Sequence, residues 1–202
     1  MAPSAKEPVM FLHLRFVQCQ ILVSLLFLTL VAGCTQNKPV ETPVISQQPN
    51  TALPMPPLNG HELGQMGWEI ADGQRSVVSE YRGKVLVLDF YATWCGPCRE
   101  TIPNLVELQR RYNNDGLRVI GLNVGGPDDL SQVSHFAKEF SIQYPLAVPD
   151  SDLSQLLLGD VDAIPQTFVF DRKGQLVKRF VGAPATDVFN NIVERTLQSQ
   201  AN

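Results

Sequence analysis

The chain has 202 residues, of which 44% are hydrophobic and 18% charged, and this is enough apolar material for one ordinary domain with extensions. Its formal net charge is −4, and losing Lys6, Glu7 and Arg15 with the first 33 residues makes the remainder slightly more acidic, which argues against nucleic acid as a partner. The cysteines are Cys19, Cys34, Cys95 and Cys98, so a single close pair is left for the folded part and no disulfide framework is expected.

Residues 1–33 read as a targeting segment rather than as fold. Lys6 and Arg15 supply a basic start, and Ile21 to Ala32 is an apolar run too short to span a bilayer. Met10 is an alternative start. The run ends in Leu30-Val31-Ala32-Gly33-Cys34, which resembles a bacterial lipoprotein signal. That resemblance implies cleavage before Cys34 and acylation of Cys34, and several acyl chains on one cysteine anchor far more firmly than one. With Thr35 next, the choice between inner and outer membrane stays open. Residues 34–60 then form the lipidated cysteine and a tether. Pro39, Pro43, Pro49, Pro54, Pro56 and Pro57 lie among Thr, Gln, Asn and Ser, a composition that cannot bury enough surface to fold. At ~3.1 Å per residue the tether reaches roughly 80 Å.

Residues 61–202 form the expected domain. Gly67–Ala71 and Arg75–Val78 flank Asp72-Gly73, a two-strand turn signal. Ser79–Arg82 reads as a helical turn. Val85–Tyr91 is apolar almost throughout, as a strand buried on both faces should be. A helix follows from Pro97 to about Tyr112, with Ile102, Leu105, Val106, Leu108 and Tyr112 as its inner face and Pro103 as a kink. Leu117–Val124 is the next strand. Gly125-Gly126-Pro127-Asp128-Asp129 turns into a helix expected to bury Leu130, Val133, Phe136, Ala137 and Phe140. Tyr144–Val148 is extended, and Asp152–Leu158 is a short helix capped by Asp152 or Ser151. Gln166–Asp171 and Gln175–Val181 make a hairpin. Thr186–Gln198 closes the chain with Val188, Ile192, Val193 and Leu197 inward. The fold class is therefore α/β, a mixed sheet with a βαβ crossover first, a hairpin last and helices on both faces.

The chemistry concentrates in Trp94-Cys95-Gly96-Pro97-Cys98. Pro97 suits the first helical position, which places Cys95 at the helix N-terminus, where unpaired N–H groups and the helix dipole favour a thiolate. A free thiol has a pKa of about 8.5, and helix N-termini in such motifs lower it to ~3.5–7.5. Cys98 lies under the first turn, placed to attack a mixed disulfide formed by Cys95. Half a zinc site or a structural disulfide are the competing readings. Zinc needs about four ligands, and no second Cys/His cluster accompanies the pair. His13, His61 and His135 are assigned no role, and no metal or other cofactor is expected.

These residues resemble the thioredoxin superfamily, specifically its membrane-tethered TlpA/ResA type, over roughly residues 62–200. That type includes CcmG/DsbE-like reductants of cytochrome c maturation. The resemblance implies the thioredoxin fold with an N-terminal β-hairpin extension and an insertion after the βαβ unit. It also implies a Cys95–Cys98 dithiol/disulfide cycle with Gly96 and Pro97 between the cysteines. Ile164-Pro165-Gln166-Thr167 matches the family's cis-proline loop, making Ile164 and Pro165 substrate-groove residues; Gly182 matches its groove glycine, and Thr93 and Trp94 its rim. Asp89, a lone carboxylate in an apolar strand, matches the buried acid that moves the resolving thiol's proton. Gly121 stands where thioredoxins carry that acid's lysine partner, Gly126 where some relatives carry Glu, and Tyr91 where thioredoxins have Trp.

The function implied is an envelope, periplasm-facing protein-disulfide reductase. Its expected partners are disulfide-bearing proteins, a membrane electron donor of the DsbD/CcdA kind and the membrane itself through the lipid anchor. An oxidase or isomerase direction is the alternative on the same chemistry. A peroxiredoxin-type peroxidase needs Pro and Thr where Leu88 and Ala92 stand. A metal-binding or redox-sensing module is the third reading, with His135 as its weak candidate ligand.

Overall fold

The computed structural model describes residues 60–70 and 73–199. The signal segment 1–33, Cys34, the tether up to Asn59, Ala71 and Asp72 lie outside the described residues, and Gly60, expected in the tether, opens the first helix. Among the described residues no helix is long and apolar enough to cross a membrane.

In chain order the elements are α1 (Gly60–Gln65), β1 (Gly67–Ile70), β2 (Arg75–Val77), a 3-10 turn (Val78–Tyr81), β3 (Val85–Tyr91), α2 (Gly96–Tyr112), β4 (Leu117–Asn123), α3 (Pro127–Leu130), α4 (Val133–Glu139), β5 (Leu146–Pro149), α5 (Ser151–Leu158), β6 (Gln166–Phe170), β7 (Leu176–Val181) and α6 (Thr186–Gln198). The strands form one mixed sheet in the order β2-β1-β5-β4-β3-β6-β7. Strands β3, β4 and β5 run parallel through crossovers, and β6-β7 and β1-β2 are antiparallel hairpins on opposite flanks.

β3 sits at the centre, and all seven of its residues are buried because both of its faces are covered. Leu86, Leu88 and Phe90 pack with Leu63 of α1 and with Leu153 and Leu157 of α5. Val85 and Val87 point the other way, to Leu105 and Leu108 of α2 and Phe189, Val193 and Leu197 of α6. At the C-terminal end of β3 a third cluster joins Tyr91 and Ala92 to Cys95, Cys98, Ile102 and Phe136. The cysteine pair is thus seated at the end of the central strand.

Three sequence expectations are corrected. The segment after Gly126 forms two short helices instead of one, and Leu130 is exposed rather than buried. Asp129 takes the inward position beside it, and this turns Leu130 out to solvent. The cap of α5 is Asp150, neither Asp152 nor Ser151: its carboxylate accepts from the Leu153 amide at 2.8 Å and from the Gly67 amide at 2.7 Å. Arg75 reaches the same carboxylate at 2.9 Å, so this one cap also ties the β1-β2 hairpin to the domain. In α6 Val188 is half-exposed and Phe189 is inside. The buried set is Phe189, Val193, Thr196 and Leu197 at helical spacing, and the Thr196 hydroxyl is satisfied by the Ile192 carbonyl at 2.7 Å.

Candidate active site

Cys95 is the N-cap of α2 and is joined to Cys98 by a disulfide, with the two Cα atoms 5.3 Å apart. The Cys98 amide donates to Cys95 Sγ at 3.2 Å, so an orphan donor of the first helical turn points at the sulfur. Once the disulfide is reduced, that N–H and the positive end of the helix favour a thiolate at Cys95. Cys95 is 5% exposed and Cys98 is fully enclosed. An incoming sulfur therefore meets Cys95, while Cys98 waits underneath. Trp94 is 68% exposed beside them and forms an apolar rim.

The Ile164–Pro165 peptide is cis. It brings the Ile164 carbonyl oxygen to 3.7 Å from Cys95 Sγ. The loop leading to it is held from beneath. Gln166, wholly buried, donates its amide to the Val161 and Ala163 carbonyls, both at 2.9 Å. Its side-chain oxygen accepts from Arg179 at 2.6 and 3.1 Å, and Arg179 also reaches the Leu158 carbonyl at 3.2 Å. The Gly182 amide donates to the Pro165 carbonyl at 2.8 Å. Gly182 and Ile164 therefore share one wall with Cys95 and Pro165.

Asp89 lies deeper on the same side of the sheet, in register with Gly121 on β4 and Thr167 on β6. It is 1% exposed, and burial pushes its carboxyl up to about 7 against the effect of one hydrogen bond, from Thr167 Oγ1 at 2.8 Å. On the β4 side Gly121 leaves room for rings. A Cβ there would lie 2.6 Å from Leu146 Cδ2 and 3.3 and 3.4 Å from the rings of Tyr91 and Tyr144. Burial raises both phenols above their ordinary range.

A second buried carboxylate braces the other flank. Asp129 accepts from the Thr93 amide at 3.0 Å, from the Thr93 hydroxyl and from Asn123 Nδ2 at 2.6 Å. Burial opposes ionisation, but the hydrogen bonds from Thr93 and Asn123 outweigh it and hold this carboxyl below its usual range. Gly125 allows the approach, since a Cβ there would stand 2.3 Å from Asp129 Oδ2. Arg99 completes the brace. It donates to the Thr93 carbonyl at 3.3 Å, pairs with Glu139 of α4 and lies over the rings of Phe140 and Phe136. The residue two before Cys95 is thereby fixed through both its N–H and its C=O.

This arrangement is a slightly exposed cysteine at a helix N-terminus, a fully enclosed partner cysteine and the Ile164 carbonyl beside them, just before the cis-proline. The sequence model of the Redoxin family matches residues 65–195. The chain belongs to the Redoxin family. Two relatives are each named thiol-disulfide oxidoreductase ResA. The protein from Geobacillus kaustophilus is 33% identical over 127 residues, 63% of this chain and 69% of the relative. The protein from Bacillus subtilis is 30% identical over 114 residues, 56% of this chain and 62% of the relative, less than two thirds of its length. Among solved structures, a thiol:disulfide interchange protein of the thioredoxin family from Chlorobium tepidum superposes with a TM-score of 0.58 at 29% identity, covering 66% of this chain and 94% of that one.

The Redoxin-family chain therefore has the thioredoxin fold and a redox-active thiol–disulfide pair at Cys95 and Cys98. The structure brings Trp94, Cys95, Gly96, Pro97, Ile164 and Gly182 together around the disulfide, with Cys98 and Pro165 enclosed beneath and Asp89 on the same side of the sheet. His135 is exposed on α4. Thr93, expected on the rim, turns its hydroxyl to Asp129. Asp129, Asn123, Gln166 and Arg179 carry no expected role in the sequence, yet they brace the site. The available signals were two adjacent glycines before Asp128-Asp129, and polar residues inside strands that otherwise read as buried.

Proposed function

We propose that this protein is a bacterial envelope reductant of protein disulfides, held to a membrane by acylated Cys34 after removal of residues 1–33, with residues 35–60 as its spacer. The observation that carries the reading is the placement of Cys95 at the N-terminus of α2, 3.7 Å from the Ile164 carbonyl that precedes the cis-proline and above a fully enclosed Cys98. In the reaction, the Cys95 thiolate attacks one sulfur of a substrate disulfide, and the other substrate sulfur leaves as a thiolate. The Cys98 thiol gives its proton to Asp89 and attacks Cys95 Sγ. A Cys95–Cys98 disulfide forms and the second substrate sulfur leaves as a thiolate, so two electrons pass from the protein to the substrate and one proton stays on Asp89. A carboxyl poised near neutrality suits that proton transfer. Trp94, Ile164, Pro165 and Gly182 line the groove for an extended substrate segment. A membrane donor of the DsbD/CcdA kind restores the dithiol, and apocytochrome c is one candidate substrate.

The reduction potential of the Cys95–Cys98 couple tests the direction. A value near or below about −230 mV makes the protein a reductant, and one between about −120 and −180 mV makes it an oxidase or isomerase. A Cys98→Ser variant is expected to accumulate mixed disulfides with envelope proteins, and its failure to do so removes the two-cysteine mechanism. Membrane fractionation tests the anchor: Cys34→Ser is expected to move the protein into the soluble fraction.

A further inference from the structure

We propose that Thr167 and the narrow cleft between α2 and the start of α6 are the route by which Asp89 returns its proton to solvent. The inference rests on the reading of Asp89 as the acceptor of the Cys98 proton, and it concerns where that proton goes next. Asp89 is itself enclosed, and among the described residues its hydrogen bond to Thr167 leads towards a polar cleft. On the β4 side Gly121 has no side chain, and Leu146, Tyr91 and Tyr144 close the space. On the β6 side the Thr167 hydroxyl donates to Asp89 Oδ1 at 2.8 Å. Thr167 also lines a cavity of about 140 Å³ whose other walls include Glu100, Thr101, Asn104, Pro184 and Phe189.

The polar lining becomes progressively more open. Thr167 is buried, Thr101 and Asn104 are half-buried, and Glu100 is exposed at the mouth. The volume holds several waters, and the walls offer them hydroxyl, amide and carboxylate partners. A threonine hydroxyl both donates and accepts, so it can pass a proton from a protonated Asp89 to the first of those waters and take up its own replacement. No bond other than O–H is made or broken, and the net change is one proton from carboxyl to solvent. The titratable groups around Asp89 are Tyr91 on its own strand, Tyr144 ahead of β5, and the Cys95–Cys98 pair and Glu100 on α2; β6 and α6 present uncharged Thr167 and Phe189.

The test is a stopped-flow reaction of the reduced whole protein with 5,5′-dithiobis(2-nitrobenzoate) at pH 8, followed by nitrothiobenzoate absorbance and by a pH-indicator dye. The leaving thiolate takes no proton at that pH, so the proton of Cys98 must reach solvent. The resolving phase is the one that Cys98→Ser abolishes. In the wild type, proton release and the resolving phase are expected to coincide. In Thr167→Val the dye signal is expected to lag the disulfide by about tenfold or more, and in Thr167→Ser to coincide again. Asn104→Leu keeps the Asp89–Thr167 bond while making the cleft wall apolar, and a smaller lag is expected. Coincident signals in both Thr167→Val and Asn104→Leu overturn the route. A Thr167→Val protein whose pH profile shifts without any lag also overturns it, because Thr167 then only tunes Asp89. If Asp89→Asn resolves with the wild-type rate and pH profile, the reading of Asp89 as proton acceptor falls and the route falls with it. If Asp89→Asn is slow and Thr167→Val shows no lag, only the route falls.

Discussion

Asp89 and Asp129 lie on opposite flanks of the redox pair, both withdrawn from solvent, yet they differ in charge. Asp89 has one hydrogen bond, from a hydroxyl, among apolar side chains and two phenols, and its carboxyl sits at about 7. Asp129 has three, one of them from a backbone N–H, and remains ionised. Burial opposes charge at both positions, so the supply of donors decides which carboxyl ionises. Each state suits its place. A carboxyl on the edge of protonation can take and give a proton, and one that stays ionised can anchor the loop carrying Trp94 and Cys95.

Neutralising Asp89 gives the largest expected effect, and it is a gain in stability. Its folded pKa is raised from 3.8 to about 7, so the folded state holds the proton more tightly than the unfolded chain does. Stability is then greatest below the unfolded pKa and falls as pH rises through about 7, for a total of about 4 kcal/mol at 1.36 kcal/mol per pKa unit. Asp89→Asn keeps an acceptor for Thr167 and removes the charge. Urea unfolding of the oxidised protein is expected to show the variant more stable by about 4 kcal/mol at pH 8 and level with wild type near pH 4. A difference that does not change with pH would mean that Asp89 is not the strained carboxyl described here. The same variant is expected to slow the resolving step.

Removing Asp129 is expected to act with the opposite sign. Asp129→Ala leaves the Thr93 amide, the Thr93 hydroxyl and the Asn123 amide without their acceptor in a buried place, at a cost of about 2–4 kcal/mol near neutral pH. The folded pKa here is depressed, so its contribution is present above the unfolded pKa and fades as pH falls through the folded value. The deficit in unfolding free energy should therefore be largest at pH 7 and shrink in acid, the mirror image of the Asp89→Asn trend. Equal deficits at pH 3 and pH 7 would assign the loss to packing and not to the carboxylate.

The two acids were unequally legible in the sequence. Asp89 shows itself as the one charged residue in an apolar seven-residue strand, so its burial follows from local pattern alone. Asp129 is hidden in Gly125-Gly126-Pro127-Asp128-Asp129, where either acid could serve the first turn of a helix. What turns Asp129 inward is non-local: Tyr91 lies opposite Asn123 in the β3–β4 register, and the Val124 amide binds the Tyr91 carbonyl at 2.9 Å. The same division runs through the fold. The central strand, the active-site helix and both hairpins follow from periodicity and turn residues. Phe189 and not Val188 faces inward, where its ring meets that of Phe180 at 5.3 Å, a contact between separate elements that helical periodicity alone does not select.

Thr93→Val provides the smallest and most selective test of the contrast, because it takes one donor from Asp129 and leaves the Thr93 N–H in place. The loss expected at pH 7 is about 1 kcal/mol, that of one hydrogen bond to a charged group offset in part by the added apolar contact. With fewer donors Asp129 should titrate closer to its ordinary value, so the decline in stability on acidification becomes smaller in total and is complete at a higher pH. The carboxyl chemical shifts of Asp129 and Asp89, followed by NMR from acid to well above neutral pH, read that change directly, with the Asp89 midpoint near pH 7 as an internal reference expected to stay where it is. Movement of the Asp89 midpoint instead would mean that the two carboxyls are coupled across the redox pair and are not set by their own donors. An unmoved Asp129 midpoint would mean that the Thr93 amide and Asn123 alone suffice to keep it ionised.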